Sequence, residues 1–198
     1  ALAKRDPRNH LIARRLATAY QRRGDHAAAA RSFHRAHDHG YRDARLVSEA
    51  LSLYVRAAAA EDEAGRGRRA WALLSEAHAL DAHAPLVREA RATWRARHGR
   101  GAEARIELEA LVKEVPDRAS AWRQLGLLYL SERRYPPAVQ ALENARRLHS
   151  DPDALFALGE AYHLAGDLSR SRDTFRAFLT TASSQDVQRR RHATDRLR

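Results

Sequence analysis

Apolar residues return every three or four positions along almost the whole chain, and the two-residue alternation of strands is essentially missing. Ala13, Leu16, Ala17 and Tyr20 share one helical face. The same spacing recurs in Trp122, Leu125, Gly126 and Tyr129, and again in Leu155, Leu158, Gly159 and Tyr162. Each stretch runs into a turn, at Gly24-Asp25, Arg133-Arg134 and Gly166-Asp167. Each turn leads to a second periodic stretch, carried by Ala29, Phe33 and Ala36, by Ala138, Leu142 and Ala145, and by Ser171, Phe175 and Phe178. This pattern predicts hairpins of two helices that cross closely, because Ala17, Gly126 and Gly159 place little or nothing in the crossing. The aromatic one turn later fills the wedge beside it. Such a hairpin leaves an apolar face on each side and buries it only by stacking on another hairpin.

The stretch Trp122-Leu125-Gly126-Tyr129-Ala138-Ala145, followed by Pro152, resembles the tetratricopeptide repeat (TPR) almost position for position. The resemblance runs over roughly residues 9–182. It implies an all-α fold, a right-handed α-solenoid of stacked antiparallel helix hairpins. The expected units are 9–40, 43–82, 84–116, 118–150 and 152–182, with 184–198 a capping helix or a truncated next repeat, in one solenoid segment. In the second unit the face Val47, Ala50, Leu51, Tyr54 is followed by Ala70, Leu74 and Ala77 about seven residues late, or two helical turns. A lengthened first helix through "YVRAAAAEDEA", turning at 65–68, keeps the same face. In the third unit Arg91 stands where the family prefers a small residue. The Tyr135-Pro136-Pro137 break reads as a hairpin turn, with proline in the first turn of the following helix, where amides lack partners anyway.

Composition narrows the picture. At 198 residues, 44% hydrophobic and 31% charged, the chain is globular rather than disordered. No apolar run approaches the about 18 residues that cross a bilayer, so no membrane insertion is expected. Cysteine is absent, which excludes disulfides and thiolate chemistry in these residues. Methionine is absent too, so the sequence reads as a region excised from a longer protein. Of the 36 lysines and arginines only Lys4 and Lys113 are lysine. With the abundant alanine, this points to a GC-rich bacterial genome; the segment reads as soluble, and the sequence does not choose between a cytoplasmic and a periplasmic setting. The formal charge of +11 predicts attraction to acidic partners.

Candidate chemistry is sparse. His34, His37 and His39 offer a conceivable metal cluster, but histidines near a helix C-terminus also suit the dipole, and no metal or cofactor is expected. No phosphate loop, zinc-protease helix or nucleophile elbow occurs, and the chain reads as a binding module rather than an enzyme. Trp71, Trp94 and Trp122 fall at packing positions. The family resemblance implies that first helices line a concave surface. That places Arg14, Arg15, Thr18, Gln21, Arg22, Arg88, Arg95, Arg123 and Gln124 in a basic groove, with Glu160 and His163 from the last unit. Arginine forks bind carboxylates two bonds at a time, so an acidic or extended segment of another protein is the expected ligand. The family's carboxylate clamp is absent, since Thr18 and Leu127 stand at its asparagine positions. The expected role is an interaction scaffold in a larger bacterial assembly, such as a secretion, pilus, exopolysaccharide-export or polarity complex. The alternatives are nucleic-acid or polyanion binding through the arginines, including Arg189, Arg190 and Arg191, and self-association of exposed apolar ends.

Overall fold

The computed structural model describes residues 7–38 and 43–197, with side chains from residue 12 onward. Among these residues every regular element is helical: α1 (Pro7–Arg22), α2 (His26–Asp38), α3 (Ala44–Glu63), α4 (Gly67–Leu80), α5 (Pro85–Arg97), α6 (Gly101–Glu114), α7 (Ala119–Ser131), α8 (Tyr135–Leu148), α9 (Pro152–Leu164), α10 (Leu168–Thr181) and α11 (Val187–Asp195). The chain forms two compact units, Ala1–Trp94 and Arg95–Arg198.

In the first unit α1 pairs with α2, α2 with α3, and α3 with α4. Their shared core is built from Ala17, Ala29, Ala30, Phe33, Ala50, Leu51, Tyr54, Ala70, Leu74 and Val87, among others. Much of it is alanine, which lets helices approach closely at little side-chain entropy cost. At 20 residues, α3 is the longest element described. Asp43 caps it, accepting from the Arg45 amide at 2.8 Å, and Ala57 and Ala58 bury its added turns. Trp71 and Trp94 pack with ring centroids 4.6 Å apart. Arg91, in the place of the usual small residue, lays its guanidinium over Trp71 at 5.2 Å, so the long side chain is accommodated by stacking rather than by insertion between helices.

In the second unit α6 packs on α7, α7 on α8, α8 on α9, α9 on α10 and α10 on α11. The two glycines at the crossings have a direct steric reason. A Cβ on Gly126 would lie 2.5 Å from Leu142 Cγ, and one on Gly159 would lie 2.7 Å from Phe175 Cε1. The hairpin turns share one backbone device, a residue in the left-handed region just past the first helix. Glycine supplies it at Gly24, Gly65, Gly99 and Gly166, whereas Arg133 does so with φ 58°. α8 then begins with Pro136 and Pro137 at its first positions.

Candidate functional site

The first helices α3, α7 and α9 each pack on their partner helix and on the second helix of the hairpin before, and α1 packs on its partner α2. α1 carries Arg14, Arg15, Thr18, Gln21 and Arg22, all exposed. The Thr18 hydroxyl donates to the Arg14 carbonyl at 2.9 Å. α3 carries Arg45 and Arg56, also exposed. None of Arg14, Arg15, Arg22, Arg45 and Arg56 has a carboxylate partner among the described residues. Arg45 and Arg56 escaped the sequence reading, although Arg56 follows Arg22 by one repeat length and that register is the signal that would have found it.

The other expected groove residues are placed differently. Arg88 is half-buried and engaged. The Arg95 side chain is only 14% exposed, with Nε 3.7 Å from Glu103 Oε2. Arg123 donates to Asp151 at 3.0 Å and lies 3.5 Å from Asp153, and Gln124 beside it is half-buried. Glu160 and His163 are also engaged, Glu160 with His192 at 2.8 Å and His163 with Arg196 at 2.5 Å. The α1 and α3 arginines thus lie within one unit with no carboxylate partner among the described residues, while Arg123 is matched within the second unit.

Matched arginines also build the recurrent ties between hairpins. The Tyr129 hydroxyl donates to Glu109 of α6 at 2.8 Å, and Arg134 covers the ring at 4.8 Å. One repeat later the Tyr162 hydroxyl donates to Glu143 of α8, with Arg170 over the ring at 4.7 Å. In the first unit Tyr54 Oη lies 3.0 Å from His34 Nδ1. Burial, with the neighbouring Glu109 carboxylate adding to it, pushes the Tyr129 phenol up to about 12. Burial likewise raises Tyr54 and Tyr162. Arg31 donates twice to Glu76, at 2.8 and 2.7 Å, and that hydrogen bonding holds the Glu76 carboxyl below the usual carboxylate range.

His34 and His37 each approach Asp38 at 3.9 Å, and His39 lies outside the described residues. No group of three metal-ligating side chains forms among the described residues. The tryptophans are half-buried: Trp71 and Trp94 pack on each other, and Trp122 Nε1 donates to the Pro116 carbonyl at 2.9 Å. No helix among the described residues is long and apolar enough to cross a membrane.

Comparison with known proteins agrees with this architecture. No curated protein matches the sequence. Among solved structures, MamA residues 41 to the end from Desulfovibrio magneticus RS-1 aligns at 20% identity with a TM-score of 0.65, covering 90% of this chain and 97% of that one. TTC0263, a thermophilic TPR protein of Thermus thermophilus, aligns at 21% identity and TM-score 0.63, covering 95% and 98%. PilW, described as a widely conserved type IV pilus biogenesis factor, aligns at 16% identity and TM-score 0.69, covering 95% and 86%. At such identities the likeness establishes the fold. The tetratricopeptide repeat family model matches residues 87–144 and 123–187, just over half of the sequence. Helix hairpins with small residues at their crossings, the structural neighbours and this match agree: the chain belongs to the tetratricopeptide repeat family, an all-α fold that serves as a protein-interaction scaffold.

Proposed function

We propose that this protein is a scaffold whose first-helix surface in the N-terminal unit holds an acidic, extended segment of a partner protein. The observation that carries the reading is the set of arginines on the first helices α1 and α3 that no carboxylate among the described residues faces. Arg14, Arg15 and Arg22 on α1 and Arg45 and Arg56 on α3 are exposed without a carboxylate among the described residues. On the first helices α7 and α9 of the second unit the one arginine, Arg123, is paired with Asp151; exposed arginines of that unit without a carboxylate among the described residues, such as Arg133, Arg146 and Arg172, stand off the first helices. Thr18 and Gln21, between the α1 arginines, add neutral hydrogen-bonding groups suited to a peptide backbone. Arg88 extends the candidate surface within the same unit, as a position whose present pairing a ligand carboxylate would have to replace; Arg95, Arg123 and Gln124 are separate candidate positions of the second unit. The neighbour described as a pilus biogenesis factor supports a place in a bacterial assembly.

The test is a fluorescence-anisotropy titration with a labelled Asp/Glu-rich peptide and, in parallel, with a single-stranded RNA of equal charge, over a series of salt concentrations. The expected result is peptide binding that weakens with salt and is lost in the triple variant Arg15→Glu, Arg22→Glu, Arg56→Glu. These positions are exposed, so circular dichroism should show an intact fold. RNA binding as tight as peptide binding, with the steeper salt slope of phosphate neutralisation, would replace this reading with polyanion binding. Unchanged peptide binding in the triple variant would remove the surface from consideration.

A further inference from the structure

α1 buries Ala17, yet Ile12 and Leu16 on its adjoining sector are 55% and 46% exposed. The residues in the repeat position of Leu16, namely Ala50 in α3, Leu125 in α7 and Leu158 in α9, are all buried. Those three helices pack on the second helix of the hairpin before them: α3 on α2, α7 on α6, α9 on α8. What covers such a sector elsewhere in this molecule is therefore the second helix of a hairpin.

In the C-terminal unit, α10 is a second helix that packs on α9 and, on its other side, on α11. α11 buries one side chain, Ala193, against Leu155, Phe175 and Phe178. Its other attachments are polar. Arg189 pairs with Asp153 at 2.5 Å, Arg190 donates to the carbonyls of Leu179 and Ala182 at 2.9 and 3.1 Å, and His192 meets Glu160 at 2.8 Å. The His192 ring closes over Phe156 and Phe175 with centroids 5.6 and 6.3 Å apart. Ion pairs this exposed hold a helix only weakly.

α11 also repeats the sequence of α1. Arg190-Arg191-His192-Ala193-Thr194 matches Arg14-Arg15-Leu16-Ala17-Thr18 at every position but the central one. In both helices the threonine hydroxyl donates back to the carbonyl of the leading arginine, at 2.8 Å for Thr194 and 2.9 Å for Thr18. The helix packed on α10 opposite α9 and the helix whose own side is open thus share one signature.

From this we infer that α1 of a second copy takes the place of α11 on the α9–α10 surface, so that the occupant of the open α1 sector is another molecule of the same chain and α11 is its internal competitor. Leu16 then stands where His192 stands, an aliphatic group in place of an imidazole over Phe156 and Phe175. Arg14 stands where Arg190 stands, facing the carbonyls of Leu179 and Ala182. The seat supplies the carboxylates of Asp153 and Glu160, which suit the basic α1.

Sedimentation velocity on the full chain over a concentration series tests this. The variant Arg189→Glu, Arg196→Glu sets acid against Asp153 and Glu160 and unseats α11. It should raise the fraction of competent seats and bring association to a concentration lower by roughly tenfold. Adding Leu16→Glu, at an exposed site, should return that variant to monomer. Concentration-independent mass in the unseated variant overturns the inference, and so does association that Leu16→Glu leaves unchanged. Should the unseated variant lose its helical signal, a labelled synthetic peptide of residues 8–23 is added to the unaltered chain. It should bind and be displaced by a peptide of residues 184–197, and failure of either overturns the inference equally.

Discussion

At the scale of single residues the fold depends on what can stand at a helix crossing and in a turn. Gly159→Ala places a methyl against the Phe175 ring, whose nearest atoms would be 2.7 to 2.9 Å away. Phe175 is fully buried and cannot step aside. Overpacking of about 1–3 kcal/mol outweighs the helix-propensity gain of about 0.5–1 kcal/mol over glycine. The expected net loss of roughly 1–2 kcal/mol would appear as a lower urea midpoint at unchanged slope. Arg133 argues the opposite way. It holds φ 58° where four other hairpin turns use glycine, and the left-handed region costs an L-residue about 1–2 kcal/mol. Part of that is returned by glycine's larger unfolded-state entropy, so Arg133→Gly is expected to stabilise by about 0.5–1 kcal/mol, read from thermal melts. The crossing glycines were legible in the sequence because small residues recur in register. The Arg133 turn, which has no glycine, was legible through the repeat register and the prolines that follow it.

Among elements, the lengthened α3 could be anticipated because the apolar face of α4 arrives about two turns late, and periodicity records such a delay directly. The pairing of arginines could not. Arg123 and Asp151 are 28 residues apart, and nothing in a helical pattern says which exposed-looking guanidinium folds back on a neighbouring hairpin. Unmatched charge on α3 went unread for a related reason: the apolar register that reveals the lengthened arm carries no information on which charges find partners. Asp151 also caps α9, accepting from the Ala154 amide at 2.7 Å. Asp151→Ala removes cap and ion pair together and should cost about 1–2 kcal/mol. Asp151→Asn keeps a capping oxygen and loses only the charge, so it should cost clearly less. Chemical denaturation of both variants separates the two roles, and equal losses would show that the ion pair, rather than the cap, carries the effect.

For the whole molecule, carboxylates and phenols set a pH window. Hydrogen bonding from Arg31 lowers Glu76, and that from Arg66 lowers Glu61. The Arg170 backbone amide, then its side chain, lowers Asp167. A carboxyl lowered on folding lends stability that is complete above its unfolded value of about 4 and is lost as pH falls through the folded value. Tyr54, Tyr129 and Tyr162 are raised, chiefly by burial. Their contribution is complete below the unfolded phenol value of about 10 and is lost as pH rises toward the folded value, about 12 for Tyr129. The midpoint of thermal unfolding should therefore be flat between about pH 5 and 9 and fall on both sides, the alkaline fall shrinking in Tyr129→Phe.

The ties around Asp151 also bear on motion. Arg123 reaches from α7 to the cap of α9, Tyr162 of α9 donates to Glu143 of α8, and Arg170 of α10 lies 3.7 Å from the same carboxylate. No helix of the fourth or fifth hairpin can swing out without severing a contact that belongs to the other. In hydrogen-exchange terms α7 to α10 make up one cooperative opening unit, whose amides trade with deuterium together. α1, with Ile12 and Leu16 uncovered and packed chiefly on α2 among the described helices, is outside that unit and is expected to open separately from it. The molecule thus carries unmatched arginines on a helix that opens apart from that unit, where a partner that orders α1 would leave its clearest mark as slowed exchange.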